Sequence, residues 1–266
     1  MSDIIPATPA IRTGLTALDT MLGGLKPGIT TIASRSSMGK SILLYTILEF
    51  ASRQGLSEDR ASPAHTVMFS NEVGKKVIID CLLAIKTGTP RKVIAHGGLT
   101  EERFTAASAD LDANNKIFFM ADAEWDIPAI RRTVEAHSLA KTADFLVLDG
   151  PRSGDFKRNP DLMTELDEIA VTFSLPILIT HDLDSLYLDQ RDDKRPTLYD
   201  LNDTPLIAQQ SRVILFLYRD VFYNREAENP KDAEIIVAKN DYGDTGTIQV
   251  RYMPEISRFE DAAAGA

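Results

Sequence analysis

Apolar residues along this chain fall into short runs that alternate with stretches of helical periodicity. The β-branched run Ile29, Thr30, Thr31, Ile32 leads into a polar loop and then into an apolar stretch from Gly39 to about Gln54. That pattern predicts a strand, a tight turn and a helix buried on nearly every face. Thr66–Ser70 (TVMFS), Lys116–Ala121 (KIFFMA), Phe145–Asp149 (FLVLD) and Pro176–Thr180 (PILIT) read as further strands. FLVLD and PILIT are continuously apolar, as parallel strands covered on both faces are. Helices are expected over about Lys75–Lys86, from near Thr100, after an Asp126 cap with Ile127, Ile130 and Val134 on one face, and after Asn159-Pro160 with Leu162, Leu166, Ile169 and Phe173.

The ends of the chain complete the pattern. Residues 1–10 read as a flexible arm, and Ile11–Pro27 as a threonine-capped short helix stopped by Gly-Gly. A turn is expected at Thr89-Pro90, and polar loops over Ser57–Ala64 and Asp182–Pro205. Val213–Tyr218, Ala233–Lys239 and Thr247–Tyr252 read as closing strands, the last two forming a hairpin across Asp241–Gly246. Residues 261–266 are a small tail. The fold class is therefore α/β: a mainly parallel twisted sheet, helices on both faces, and an antiparallel C-terminal edge, with residues 11–260 as one domain.

Composition narrows the function. With 266 residues, 44% hydrophobic and 26% charged, the chain has ordinary globular values and enough length for a large core. A formal net charge of −10 excludes a broadly basic nucleic-acid surface but not a locally positive groove. The start MSDIIPATPA lacks the pattern of a signal peptide, and no stretch is long enough to span a bilayer. Cys81, the single cysteine, sits in the apolar run Val77–Ile85 and reads as a core residue, consistent with a cytoplasmic protein.

The chemistry concentrates at strand ends. Ser34-Arg35-Ser36-Ser37-Met38-Gly39-Lys40-Ser41 lies between a strand and a helix, where backbone N–H groups and a helix N-terminus cradle phosphates. There Lys40 reaches the β- and γ-phosphates of ATP and Ser41 ligates Mg²⁺. Asp149 resembles a Walker B aspartate that holds the metal with Ser41. Glu72, just past TVMFS, is placed to orient the attacking water. His181, just past PILIT, stands where a γ-phosphate sensor belongs. His65, His96 and His137 have no metal-ligand spacing and read as surface residues, and Trp125 reads as packing.

Several stretches carry a family resemblance: IRTGLTALDTMLGGLKPG, SRSSMGKS, FSNE, QRDDKRP, LFLYRD and EIIVAK. In this order and spacing they resemble the RecA-like motor domain of DnaB-type replicative helicases, from Ile11 to Phe259. The resemblance implies a RecA-like P-loop NTPase fold, with Arg35, Ser36, Ser37, Met38, Gly39, Lys40 and Ser41 binding nucleotide. It also implies a hexameric ring that binds ATP between subunits and translocates on single-stranded DNA.

The departures from that family open other readings. Ten leading residues cannot supply the family's N-terminal domain and linker helix. Gly150-Pro151-Arg152 replaces Tyr-Leu-Gln after the Walker B aspartate, and His181 replaces a glutamine. The family's DNA loop Asp-Leu-Arg-Glu-Ser-Gly is here Asp200-Leu201-Asn202-Asp203-Thr204-Pro205. Lys-Gln-Arg, whose arginine reaches the neighbour's ATP, is here Lys239-Asn240-Asp241. Lys239 stays a catalytic candidate, while the finger position is a carboxylate. Arg219, Arg225 or Arg251 are candidate substitutes, and Arg152, Lys157, Arg158 and Asn202 are candidate DNA contacts. The readings are an ATP-driven DNA helicase or translocase, a weakly hydrolysing relative that regulates or caps another replication protein, and a RecA/RadA-like recombinase.

Overall fold

Central strand β1 (Gly28–Ser34) is buried along its whole length, between strands that run parallel to it on both sides. The computed structural model describes residues 10–54, 63–114, 117–121, 126–139, 143–150, 159–224 and 226–262. Within them the other strands are β2 (Thr66–Ser70), β3 (Ile117–Ala121), β4 (Phe145–Asp149), β5 (Pro176–Asp182), β6 (Ser211–Tyr218), β7 (Asp232–Asn240), β8 (Gly246–Met253) and β9 (Arg258–Asp261). They form one sheet in the order β3-β2-β4-β5-β1-β6-β7-β8-β9. The first six positions pair parallel and the last three antiparallel, as the sequence pattern predicts.

The apolar runs explain the layering. Side chains on a strand alternate between faces, so Phe145 and Val147 enter one core layer while Leu146 and Leu148 enter the other. The first layer packs against α1 (Thr16–Leu22), α2 (Lys40–Gln54) and α3 (Lys75–Thr87) through Leu18, Leu44, Leu48, Ile78 and Leu82. The second packs against α6 (Ile127–Leu139) and α7 (Leu162–Thr172) through Ile130, Val134, Leu166 and Ile169. Cys81 is buried in the first layer, as expected. Between these elements, α4 (Arg91–Ala95) and α5 (Glu101–Asn114) add a small satellite cluster around Ile94 and Ala107.

Several local expectations change. Asp182–Pro205 is not all loop: it contains the end of β5, helix α8 (Ser185–Gln190) and a 3₁₀ turn (Leu198–Leu201), and α9 (Pro205–Gln210) follows at once. These helices are too short and polar to show a periodic apolar stripe. Helix α7 starts at Leu162, not at Asn159-Pro160, because the Asn159 side chain accepts from the Asp161 N–H and spends those residues on a turn. The Asp126 cap is present, its carboxylate accepting from the Ala129 N–H. His65 is not on the surface; it is mostly buried and meets Asp144 at 2.9 Å. Trp125 lies outside the described residues.

The threonine cap of α1 is also replaced. Leu15 occupies the cap position, and the Asp261 carboxylate accepts from the Thr16 N–H at 2.9 Å, across 245 residues of sequence. A carboxylate there serves an otherwise unpaired helix N–H and complements the helix dipole. Asp261→Ala should lower stability by about 1 kcal/mol, read as a fall in Tm of about 2–4 °C; an unchanged Tm would deny the cap any energetic role.

Candidate nucleotide-binding site

Register places the candidate chemistry at one sheet edge. Ala33 pairs with His181 and Ser34 with Asp182, while Ser70 pairs with Asp149. The carboxyl ends of β1, β2, β4 and β5 thus deliver the 35–41 loop, Glu72, Asp149 and His181 to adjacent positions. Ligands of open parallel sheets bind at that edge.

The loop is built from backbone constraint. Ser37 sits at φ 68° and Gly39 at φ 109°, both left-handed, and α2 starts at Lys40. A Cβ on Gly39 would lie 2.8 Å from the Tyr252 ring, so β8 closes the loop from beneath. Arg219 stacks on Tyr252 at 3.9 Å and donates to the Ser37 carbonyl at 3.3 Å. It therefore braces the phosphate loop of its own chain. Arg35 turns away from the loop to Asp189 at 2.5 Å and lies beside the rings of Phe222 and Tyr223. Ser36 and Ser37 are exposed, and Met38 is buried as a core anchor.

Lys40 is 8% exposed and its ammonium meets Asp182 at 2.5 Å. The Ser41 hydroxyl donates to Glu72 at 3.5 Å. Asp149 is fully buried. Its two carboxylate oxygens accept from the Tyr45 hydroxyl at 3.0 Å and the Thr180 hydroxyl at 3.1 Å, and Thr180 in turn accepts from the Gly150 N–H at 2.8 Å. Gly150 has φ 84°, and a Cβ there would lie 2.3 Å from Glu72 Cγ. The glycine at this position thus leaves room for Glu72. Burial first, and Glu72 second, push the Asp149 carboxyl up to about 6 against the pull of Tyr45, Thr180 and Lys40.

The hydroxyl of Ser41 with the carboxylates of Glu72 and Asp149 is an all-oxygen donor set, which suits Mg²⁺. Asp149 would contribute through the lone pairs that Tyr45 and Thr180 leave. Among the described residues no three His, Cys, Asp or Glu side chains cluster closely enough to hold a metal by themselves.

His181 is buried, with Nε2 3.2 Å from the Thr204 hydroxyl. Burial pushes its pKa down to about 4, so it is neutral at pH 7. Thr204 stands at the N-cap position of α9 without a side-chain capping bond, directly after Asn202 and Asp203, which are exposed. Arg191 braces the same region by donating to Asp200 at 3.0 Å. Asn202 lies two residues before Thr204, whose hydroxyl meets His181.

Lys239 lies elsewhere. It donates to the carbonyls of Ala208 and Gln209 at the end of α9, and Asp241 lies 3.8 Å from both Lys239 and Arg212. Asn240 pairs with Val213 near the start of β6, whereas the loop leaves the far end of β1. Through β6, Lys239 and Asn240 register with Thr31 and Thr30 of β1, about 10–13 Å back from its end at the usual strand rise, and the Lys239 ammonium is turned to the α9 carbonyls rather than toward its own chain's loop. Arg152, Lys157, Arg158 and Arg225 lie outside the described residues. The sequence pattern did not reveal Tyr45, Thr180 or Asp182. Asp182 alone left a signal, as a charged residue directly after the sensor histidine.

A loop of the phosphate-binding pattern beside an all-oxygen donor set, at the carboxyl edge of a mainly parallel sheet, defines a P-loop NTPase fold. Residues 10–261 match the DnaB-like helicase C terminal domain family, and the chain belongs to that family. It is 28% identical over 262 residues to the replicative DNA helicase DnaC of Bacillus subtilis, covering 94% of this chain and 56% of that protein. It is 26% identical to the replicative DNA helicase DnaB of Geobacillus stearothermophilus, over the same shares. The chain thus spans a little over half the length of these relatives. Among solved structures, a DnaB-like replicative helicase, described with its interactions with primase, superposes with a TM-score of 0.80 at 23% identity. That superposition covers 98% of this chain and 64% of the other. The RadB recombinase superposes at 0.56 with 16% identity, over 95% of this chain and 99% of that one, a likeness of fold alone. No helix among the described residues is long and apolar enough to cross a membrane.

Asp149 supplies a test with a definite sign. Its carboxyl titrates near 3.8 when unfolded and near 6 when folded, so the folded chain holds the extra proton between those values. Stability must fall as pH rises through that window, and the cost is complete above it. Asp149→Asn removes the cost. The variant's stability relative to wild type, read from Tm, should be higher at pH 8 than at pH 4, by on the order of 2–3 kcal/mol. A Tm difference independent of pH would contradict the buried, raised carboxyl.

Proposed function

We propose that the chain is an ATP-binding, Mg²⁺-dependent motor domain of the DnaB type that acts on single-stranded DNA in replication. The observation that carries this reading is the convergence of Lys40, Ser41, Glu72 and Asp149 at one carboxyl edge, with His181 joining that edge to Thr204. In it, the loop amides and Lys40 bind the β- and γ-phosphates, and Ser41 with Asp149 holds the metal. Glu72, kept over Gly150, orients the attacking water. His181 is neutral and can exchange hydrogen-bond roles, so a change at the γ-phosphate passes to α9 and Asn202 as a shift of Thr204. Arg152, Lys157 and Arg158 supply further phosphate contacts to DNA.

Assembly belongs to the same reading. Lys239, turned to the α9 carbonyls and away from its own chain's loop, acts in trans in this reading, in a ring of six copies with nucleotide between neighbours. One observation favours a second reading. Asp241 occupies the finger position and is held between Arg212 and Lys239. A carboxylate there cannot stabilise the transferring phosphoryl group, and a finger is worth about 10³–10⁵ in rate. The second reading is a nucleotide-binding, weakly hydrolysing relative that regulates or caps another replication protein.

Steady-state ATPase measurement with and without single-stranded DNA separates the two. The motor reading expects a DNA-stimulated rate that Lys40→Ala and Glu72→Gln each reduce at least about 100-fold. ATP binding without turnover, unaffected by DNA, would sink the motor and leave the regulatory reading.

A further inference from the structure

The cation that gives a phosphate loop its grip already has an anionic partner in this chain. Lys40 projects from the first turn of α2 and is nearly excluded from solvent, while Asp182, its partner at 2.5 Å, is half exposed. The backbone that carries Asp182 is fixed. Ser34 and Asp182 are register partners on β1 and β5, and the next residue, Leu183, donates to the Ser34 carbonyl at 2.9 Å. The carboxylate therefore stands at the lip of the loop, on the side where a phosphate oxygen must arrive to meet Lys40.

Two anions cannot share one ammonium without cost. A phosphate oxygen drawn to Lys40 meets the repulsion of Asp182, or Asp182 must turn outward into water, which its exposure allows. Surface exposure screens part of that repulsion without removing it, because Lys40 itself is enclosed. Glu72 and Asp149 stand at the same edge, which is therefore already rich in carboxylates.

We propose that Asp182 competes with nucleotide phosphate for Lys40 and thereby sets the affinity of this phosphate loop. The inference rests on the reading of residues 35–41 as a nucleotide site. Asp182 is an affinity-determining residue here: it weakens every phosphate ligand of the loop, and nucleotide binding requires the Lys40–Asp182 pair to open. A purely structural ion pair would behave differently, since its loss would lower stability and leave nucleotide affinity alone.

Equilibrium binding of ADP to the full chain, measured by calorimetry in magnesium buffer, tests this without turnover. Asp182→Asn and Asp182→Ala should each bind ADP about tenfold tighter than wild type, equivalent to about 1.4 kcal/mol. Asp184→Asn, at an exposed carboxylate two residues on, should match wild type. Lys40→Ala should abolish binding. If wild type binds ADP and both Asp182 variants bind it equally or more weakly, the competition is overturned. If neither wild type nor Asp182→Asn binds ADP, the nucleotide reading of the loop itself fails, and this inference fails with it.

Discussion

A buried ammonium must have an anion beside it, and most of this site is arranged around that requirement. Lys40 is too enclosed to be hydrated freely, so removing its partner would leave a charge in a poorly polarisable surround. The sheet supplies the partner because β1 and β5 lie side by side in a register that sets Ser34 against Asp182. The apolar runs that bury those strands on both faces therefore also fix where the charges stand. Mutations deep in FLVLD or PILIT should be felt at the site through register before they are felt through chemistry.

Around that pair the carboxylates hold different states for different physical reasons. Asp149 lies at the bottom, fully buried and satisfied by two hydroxyls, and its proton affinity is raised by burial. Glu72 lies above it, within reach of Ser41 and seated against a glycine that leaves it room. Asp182 is half in water and free to turn. The aromatic pair Tyr252 and Phe259, with rings 5.2 Å apart, supports the loop from the C-terminal strands. The last strands of the chain thus serve its first functional loop.

The parallel strands and the residues at their carboxyl ends were legible in the sequence because strands such as β4 and β5 are continuous apolar runs ending in polar residues. Helices α8 and α9 were not, since six residues cannot show a 3.6-residue stripe. Strand β9 was missed because its four residues, RFED, carry a single apolar side chain and so show no alternation. The α1 cap could not be read locally because Asp261 supplies it from the other end of the chain. At the site, motif spacing pointed to Lys40, Ser41, Glu72 and Asp149, which the sheet brings to one edge, but not to the partners of Lys40 and Asp149. Tyr45 is one apolar-looking position in a buried helix, and its role exists only because α2 crosses over β4. Lys239 and Asp241 were legible as a hairpin, but only the strand pairing shows that they lie back from the end of β1 that carries the loop.

The most direct test is a crystal structure of the chain with Mg²⁺ and a non-hydrolysable ATP analogue. Phosphate oxygens are expected within hydrogen-bond distance of Lys40 and of the backbone N–H groups of residues 36–41, with Asp182 turned away from Lys40. A nucleotide bound elsewhere, or phosphates out of reach of a Lys40 still paired with Asp182, would contradict a phosphate loop gated by its own carboxylate.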